Sequence, residues 1–169
     1  MATHQEFVSA LVAQLPGLRR YALALAGNAA MADDLVQDTI ERALRRSTQL
    51  RDVERLPGWL RRILHNLYVD EIRRGRGKMK EQDIAELADD LSLSVAAHDG
   101  AAMREFVSAM ARLSVEHRQI LLLAGLEEMN YREIAEELDI PIGTVMSRLA
   151  RAREKLRGLM QREAREIES

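Results

Sequence analysis

Between Asn130 and Gly158 the chain reads NYREIAEELDIPIGTVMSRLARAREKLRG, two helical patterns joined by a tight turn, the second of them basic. Turned at about 100° per residue, one side of the second pattern carries Val145, Leu149, Ala152 and Leu156. The opposite side carries Met146, Ser147, Ala150, Arg151 and Glu154, with Thr144, Arg148, Arg153 and Arg157 on its flanks. Guanidinium groups are always charged and offer N–H donors in a fixed fork, which suits phosphates and the guanine edge. A helix that presents short side chains and an arginine outward between flanking arginines has the chemistry of a DNA-reading helix, with base edges at its centre and phosphates at its sides. Arg148 and Arg153 have a second option, pairing with Glu136, Glu137 or Glu154.

Such a helix works only if it is held at a steep angle to its neighbour. Asn130 is a good N-cap and Glu133, three residues on, can complete a capping box. Ala135 is small where the two helices must pass closest. Asp139-Ile140-Pro141 interrupts the pattern, because proline disfavours a helical residue before it and its fixed φ suits a turn. Ile134, Leu138, Val145, Leu149, Ala152, Leu156 and Leu159 then fall on the inner faces. Break, small residue, Gly143-Thr144-Val145 and basic helix arrive in the order that a helix-turn-helix needs.

The rest of the chain is consistent with an all-α protein. In 169 residues, 47% are hydrophobic but only 4% aromatic, with 9 glycines and 3 prolines. Without cysteine there are no disulfides and no thiolate metal sites, and no run of about 18 apolar residues or basic-then-apolar N-terminus suggests a membrane span or signal peptide. A cytoplasmic chain with no direct membrane insertion is expected. The net charge of −2 is unevenly spread: residues 1–77 hold 12 basic and 9 acidic residues, 78–108 hold 3 and 7, and 142–162 hold six basic residues and one acid. The positive charge is thus local to the second helix, while the acidity elsewhere limits non-specific affinity for DNA.

Periodicity predicts helices over His4–Leu15 and Leu18–Ala26, separated by a break at Pro16-Gly17, and a third over Ala32–Arg46 with Leu35, Val36, Thr39, Ile40, Ala43 and Leu44 inward. Asp33 and Asp34 would lie in its first turn, where the macrodipole favours acids. Ser47–Leu56 reads as a polar loop. A fourth helix over Pro57–Arg74 carries Trp59, Leu60, Ile63, Leu64, Leu67, Val69 and Ile72, and ends in a basic tail through Arg76. Residues 78–102 read as a flexible acidic linker, helical at most around Ile84–Leu91, between small helical domains at 1–77 and 103–169. In the second, Met103, Phe106, Val107, Met110 and Leu113 resume the pattern, and Ser114 caps a helix carrying Ile120 and Leu123.

These strings together resemble the extracytoplasmic-function, or group IV, sigma factors of bacterial RNA polymerase. ADDLVQDTIERAL at Ala32–Leu44 is similar to the family's helix that docks on the polymerase clamp, and PGWLRRILHNLYVDEIRR at Pro57–Arg74 to its promoter-melting helix. LSVEHRQILLLAGLEEMNYREIAEELDIPIGTVMSRLARAREKLR at Leu113–Arg157 is similar to its region four. The resemblance implies polymerase contacts at Asp34, Leu35, Gln37 and Asp38; for Asp34 and Asp38 the alternative is a role as surface acids. It implies minus-ten contacts at Asn66, with Arg61, Arg62, Arg73, Arg74 and Arg76 along the strands and Ser47–Leu56 as a pocket for an unstacked base. Trp59 is read as core, with base stacking as its rival. In the minus-thirty-five helix the implied residues are Thr144, Met146, Ser147, Arg148, Ala150 and Arg151. Many relatives carry Arg or Lys where this chain has Met146, so contact there is apolar, for example to a thymine methyl. The linker would thread the polymerase's RNA path or act as a spacer. The implied partners are core RNA polymerase, promoter DNA and an anti-sigma factor; no cofactor or metal is implied.

Three other readings compete. A stand-alone helix-turn-helix regulator would need a dimer surface or a ligand pocket, and the N-terminal half offers neither. A sigma-like decoy that sequesters an anti-sigma factor would be expected to accompany a receiver domain. An enzyme is the weakest, because His4, His65, His98 and His117 have no carboxylate at triad or metal spacing and no glycine-rich phosphate loop occurs.

Overall fold

The computed structural model describes residues 3–75 and 100–168, and every regular element among them is helical. The acidic linker, Arg76 and the suggested helix around Ile84–Leu91 lie outside the described residues, apart from residues 100–102. The chain divides into two compact units, Met1–Lys78 and Met79–Ser169.

In the first unit, helix α1 spans His4–Ala26, α2 Ala29–Arg45 and α3 Leu56–Arg73, and the three pack on one another. Thr3 opens α1 through a capping box: the Glu6 N–H donates to Thr3 Oγ1 at 3.2 Å, and the Thr3 N–H donates to Glu6 Oε2 at 2.6 Å. Hydrogen bonding to Thr3, its backbone N–H first, holds the Glu6 carboxyl below its usual range. Gly27 ends α1 at φ 68, a left-handed conformation that glycine adopts without strain, and Asn28 starts α2 by accepting from the Met31 N–H at 2.8 Å.

One expectation fails at Pro16, which stands inside α1 and does not break it. The buried stripe of Phe7, Leu11, Leu18, Tyr21, Ala22 and Leu25 runs past the proline on a continuous helical period, so burial on both sides outweighs the missing donor. Because proline offers no N–H to the Val12 carbonyl, Pro16→Ala is expected to stabilise this unit by about 1–3 kcal/mol. Fluorescence of Trp59, the only tryptophan, would show a higher urea midpoint. A second correction concerns α2: because Asn28 caps it, Asp33 and Asp34 fall in its second turn and its first turn has no acid.

Within α2 the buried positions Ala32, Leu35, Thr39 and Ala43 follow the i, i+3, i+4 rule, and the Thr39 hydroxyl donates to the Leu35 carbonyl at 2.7 Å. Leu44, expected inward, is 43% exposed, and Val12 of α1 is 58% exposed. The polar segment before α3 contains two 3₁₀ turns, Ser47–Gln49 and Val53–Arg55. In α3, Leu56, Leu60, Ile63, Leu64, Leu67 and Tyr68 are buried.

The second unit comprises α4 (Gly100–Ala111), α5 (Val115–Gly125), α6 (Tyr131–Leu138) and α7 (Ile142–Ile167). Its first helix starts three residues before the expected Met103. Ser114 caps α5 as read, accepting from the His117 N–H at 3.3 Å. The last helix packs on the other three, and Val107, Met110, Leu113, Ile120, Leu123, Ile134, Val145, Leu149 and Ala152 form the core. Leu138, Leu156 and Leu159, also expected there, are half-buried at its edge.

Candidate functional site

The turn between α6 and α7 aims the basic helix. Asn130 and Glu133 form the expected capping box, with the Glu133 N–H donating to Asn130 Oδ1 at 2.9 Å and the Asn130 N–H donating to Glu133 Oε2 at 2.7 Å. Asp139 ends α6 at φ 52, in the left-handed region that aspartate tolerates better than most residues, and the Ile140 N–H donates to the Ala135 carbonyl at 3.1 Å. Pro141 is the N-cap of α7, its carbonyl accepting from Thr144 and Val145 at 2.9 and 3.1 Å. A left-handed aspartate therefore makes the bend, and proline begins the next helix.

Along α7, burial of Val145, Leu149 and Ala152 turns the opposite side to solvent. Met146, Ser147, Ala150 and Arg151 are exposed, and Thr144 and Arg148 are half-buried at the flank. The Ser147 hydroxyl turns back and donates to the Thr144 carbonyl at 3.2 Å. Among the described residues, no carboxylate pairs with Arg148, Arg151 or Arg153, so the alternative of pairing with Glu136, Glu137 or Glu154 is not realised there.

Sequence reading gave His117 no part in this neighbourhood, yet its imidazole feels the charges of Lys155, Arg148 and Arg151 on α7. Burial first, then the Lys155 ammonium, holds its pKa below the ordinary value of 6.5 against the opposing pull of Glu116. Its Nδ1 is buried without a hydrogen-bond partner. Such a group stays neutral near pH 7 and adds no charge to the basic face. Nothing in its sequence context marks this placement, because α5 and α7 meet only in the folded unit.

Arg118 was equally hidden. It is buried, its Nε donating to the Met110 carbonyl at 3.0 Å and its Nη2 to those of Ala111 and Leu113 at 3.2 and 3.1 Å. This arginine ties the end of α4 to α5 and is not available to a partner.

In the first unit, Asp34, Gln37 and Asp38 stand exposed at i, i+3 and i+4 of α2, on one face. Leu35 does not join them. At 2% exposure it is part of the core against α1 and α3, so its place in the proposed polymerase contact is withdrawn. Asp33 is tied to Arg19 at 2.9 Å.

On α3, Arg62, Asn66 and Arg73 are exposed and fall within about 40° of one another around the axis. Arg61 is half-buried, and Arg74 is paired with Glu71 at 3.1 Å. Trp59 is half-buried and meets Phe7 of α1 edge to face, centroids 6.5 Å apart and planes at 69°, a packing contact within the first unit. No group of acidic or histidine side chains suited to a metal occurs among the described residues, and no described helix is long and apolar enough to cross a membrane.

Comparison with known proteins matches residues 103–156 to sigma-70 region 4 and residues 11–65 to the sigma2 domain of PhyR. The chain is 35% identical over 150 residues to the ECF RNA polymerase sigma factor EcfG of Rhodopseudomonas palustris, covering 89% of this chain and 82% of that protein. It is 34% identical over 150 residues to the ECF sigma factor SigL of Mycobacterium tuberculosis, covering 85% and 82%. The sigma factor RpoE of Bartonella quintana, solved in complex with the anti-sigma factor NepR, superposes with a TM-score of 0.71 at 28% identity over 93% of this chain and 98% of that one. CnrH, solved with the cytosolic domain of CnrY, shares the fold at a TM-score of 0.68 and 24% identity over 95% and 90%. With its helix-turn-helix and its α1–α3 unit both matched, the chain belongs to the ECF family of RNA polymerase sigma factors.

Proposed function

We propose that this sigma factor engages core polymerase through Asp34, Gln37 and Asp38, handles the minus-ten element with Asn66, Arg62 and Arg73, and sets α7 in the major groove at the minus-thirty-five element. Residues 1–77 carry the first two tasks and 103–169 the third. Arg148 and Thr144 hold phosphates at the flank, and Arg151 reads a base edge. The role is that of a cytoplasmic DNA-binding initiation factor and not of an enzyme.

The observation that carries the reading is the state of α7: its outward arginines are not claimed by carboxylates among the described residues, on a helix whose other side buries Val145, Leu149 and Ala152. Run-off transcription with core polymerase tests it. Arg151→Ala is expected to weaken promoter use by about 1–3 kcal/mol, and unchanged promoter preference would discard base reading by that residue.

An anti-sigma protein that covers the polymerase-binding and DNA-reading faces is proposed as the regulator. It is supported by the likeness to a sigma factor solved with NepR. The match of residues 11–65 to the sigma2 domain of PhyR favours one second reading, a decoy that binds an anti-sigma factor without initiating. Failure to initiate with core polymerase, together with retained binding of the inhibitor, would select the decoy.

A further inference from the structure

On the first turns of the basic helix α7, Ile142 is 48% and Met146 54% exposed, and Ala150 is exposed one turn further on. The polar members between Met146 and Arg151 offer little in their place. The Ser147 proton is already given to the Thr144 carbonyl. Arg151 is the exposed side chain of that stretch with N–H donors that no carboxylate among the described residues takes up. The segment thus presents one bidentate donor and a pair of apolar groups, flanked by charge that suits phosphate: residues 142–162 hold six basic residues and one acid.

In the major groove the apolar feature of a base edge is the C5-methyl of thymine, and the best match for an arginine fork is guanine O6 and N7. We propose that Met146 and Ala150 read thymine methyls beside a guanine taken by Arg151. This rests on α7 being the minus-thirty-five helix. Around the axis, at about 100° per residue, Met146 and Ala150 lie about 40° apart and Arg151 lies about 100° from Ala150, so the two apolar groups share one flank of the outward side and the guanidinium reaches out from the other. The element therefore contains a guanine together with thymines, on either strand.

The experiment uses the full chain with core polymerase. A duplex is selected from a pool randomised upstream of a fixed start region, then resynthesised with deoxyuridine at each thymine of the selected element in turn. Deoxyuridine removes the methyl and leaves every hydrogen-bonding group in place. Loss of about fourfold in initiation per contacted thymine is expected, the equivalent of one buried methyl. Met146→Gln should erase the difference between thymine and uracil at one position, whereas Met146→Leu keeps it. Both variants change an exposed side chain, so the fold is not at stake. Equal initiation from thymine and uracil templates overturns the proposal, as does a thymine preference that survives unchanged at every position in Met146→Gln. If no initiation occurs on the thymine template either, the underlying reading of the chain as an initiating factor has failed and the inference falls with it.

Discussion

Asp38→Arg combined with Gln37→Ala is expected to abolish run-off transcription while leaving helix content and thermal unfolding unchanged. Both positions are exposed on α2, and their side chains make no packing contribution to the core formed by Ala32, Leu35, Thr39 and Ala43. The proposed contact sets a row of carboxylates and an amide against an arginine-rich helix of the polymerase. Each charge-assisted hydrogen bond in such a row is worth about 1.5–3 kcal/mol. Reversing one charge removes the attraction and puts a cation against cations, so the combined loss of several kcal/mol exceeds a hundredfold in assembly. Co-sedimentation with core polymerase gives the binding loss directly. Full activity of the double variant would remove α2 from the polymerase interface, and a lowered unfolding temperature would instead indicate a folding defect.

Legibility in the sequence followed the range of the interactions. Asn130 with Glu133, and Ser114 ahead of α5, were readable because a cap is made by residues three apart, whatever the rest of the chain does. The inward stripe of α7 at Val145, Leu149 and Ala152 was readable because its period is a property of the helix itself. Pro16 was misread for the opposite reason. Its local preference is to break a helix, but Phe7 and Leu11 on one side and Tyr21 and Leu25 on the other are held by α2 and α3, and that burial has no local signature. The start of α2 moved because the Asn28 side chain captures the Met31 N–H, which pushed Asp33 and Asp34 one turn further in.

Leu35 shows how a site can be overdrawn. Its spacing with Thr39 and Ala43 already placed it inward, while a run of neighbours in a resembling motif placed it in a contact, and only burial separates the two. On α7 the corresponding test gave a different result: all six residues implied for DNA contact are exposed or half-buried. The sequence could list them, but it could not show that the Ser147 hydroxyl is spent on Thr144 or that His117 sits against the basic flank, since both depend on side-chain direction in the folded unit.

Loss of Arg118 is expected to have the largest effect on stability. Arg118→Met keeps most of the apolar stem but removes donors from the carbonyls of Met110, Ala111 and Leu113 where α4 ends. A helix C-terminus leaves its last carbonyls without intrahelical partners and carries partial negative charge, so a buried guanidinium there both satisfies and neutralises it. A buried acceptor left unsatisfied costs about 1–3 kcal/mol, and the Met110 carbonyl retains the Leu113 N–H at 3.2 Å. The expected total is about 3–5 kcal/mol, a large part of the roughly 5–15 kcal/mol that holds a typical domain. Arg118→Lys should recover only part of this, because an ammonium is a compact point charge and cannot span three carbonyls as a planar fork does. Native-state hydrogen exchange resolves the effect: amides of α4, α5 and α7 should exchange faster in Arg118→Met, with the lysine variant between. Since α7 rests on α4 and α5, promoter use should fall at 37 °C and recover on cooling. Undiminished protection of the α7 amides would show that the guanidinium does not brace the DNA-reading helix.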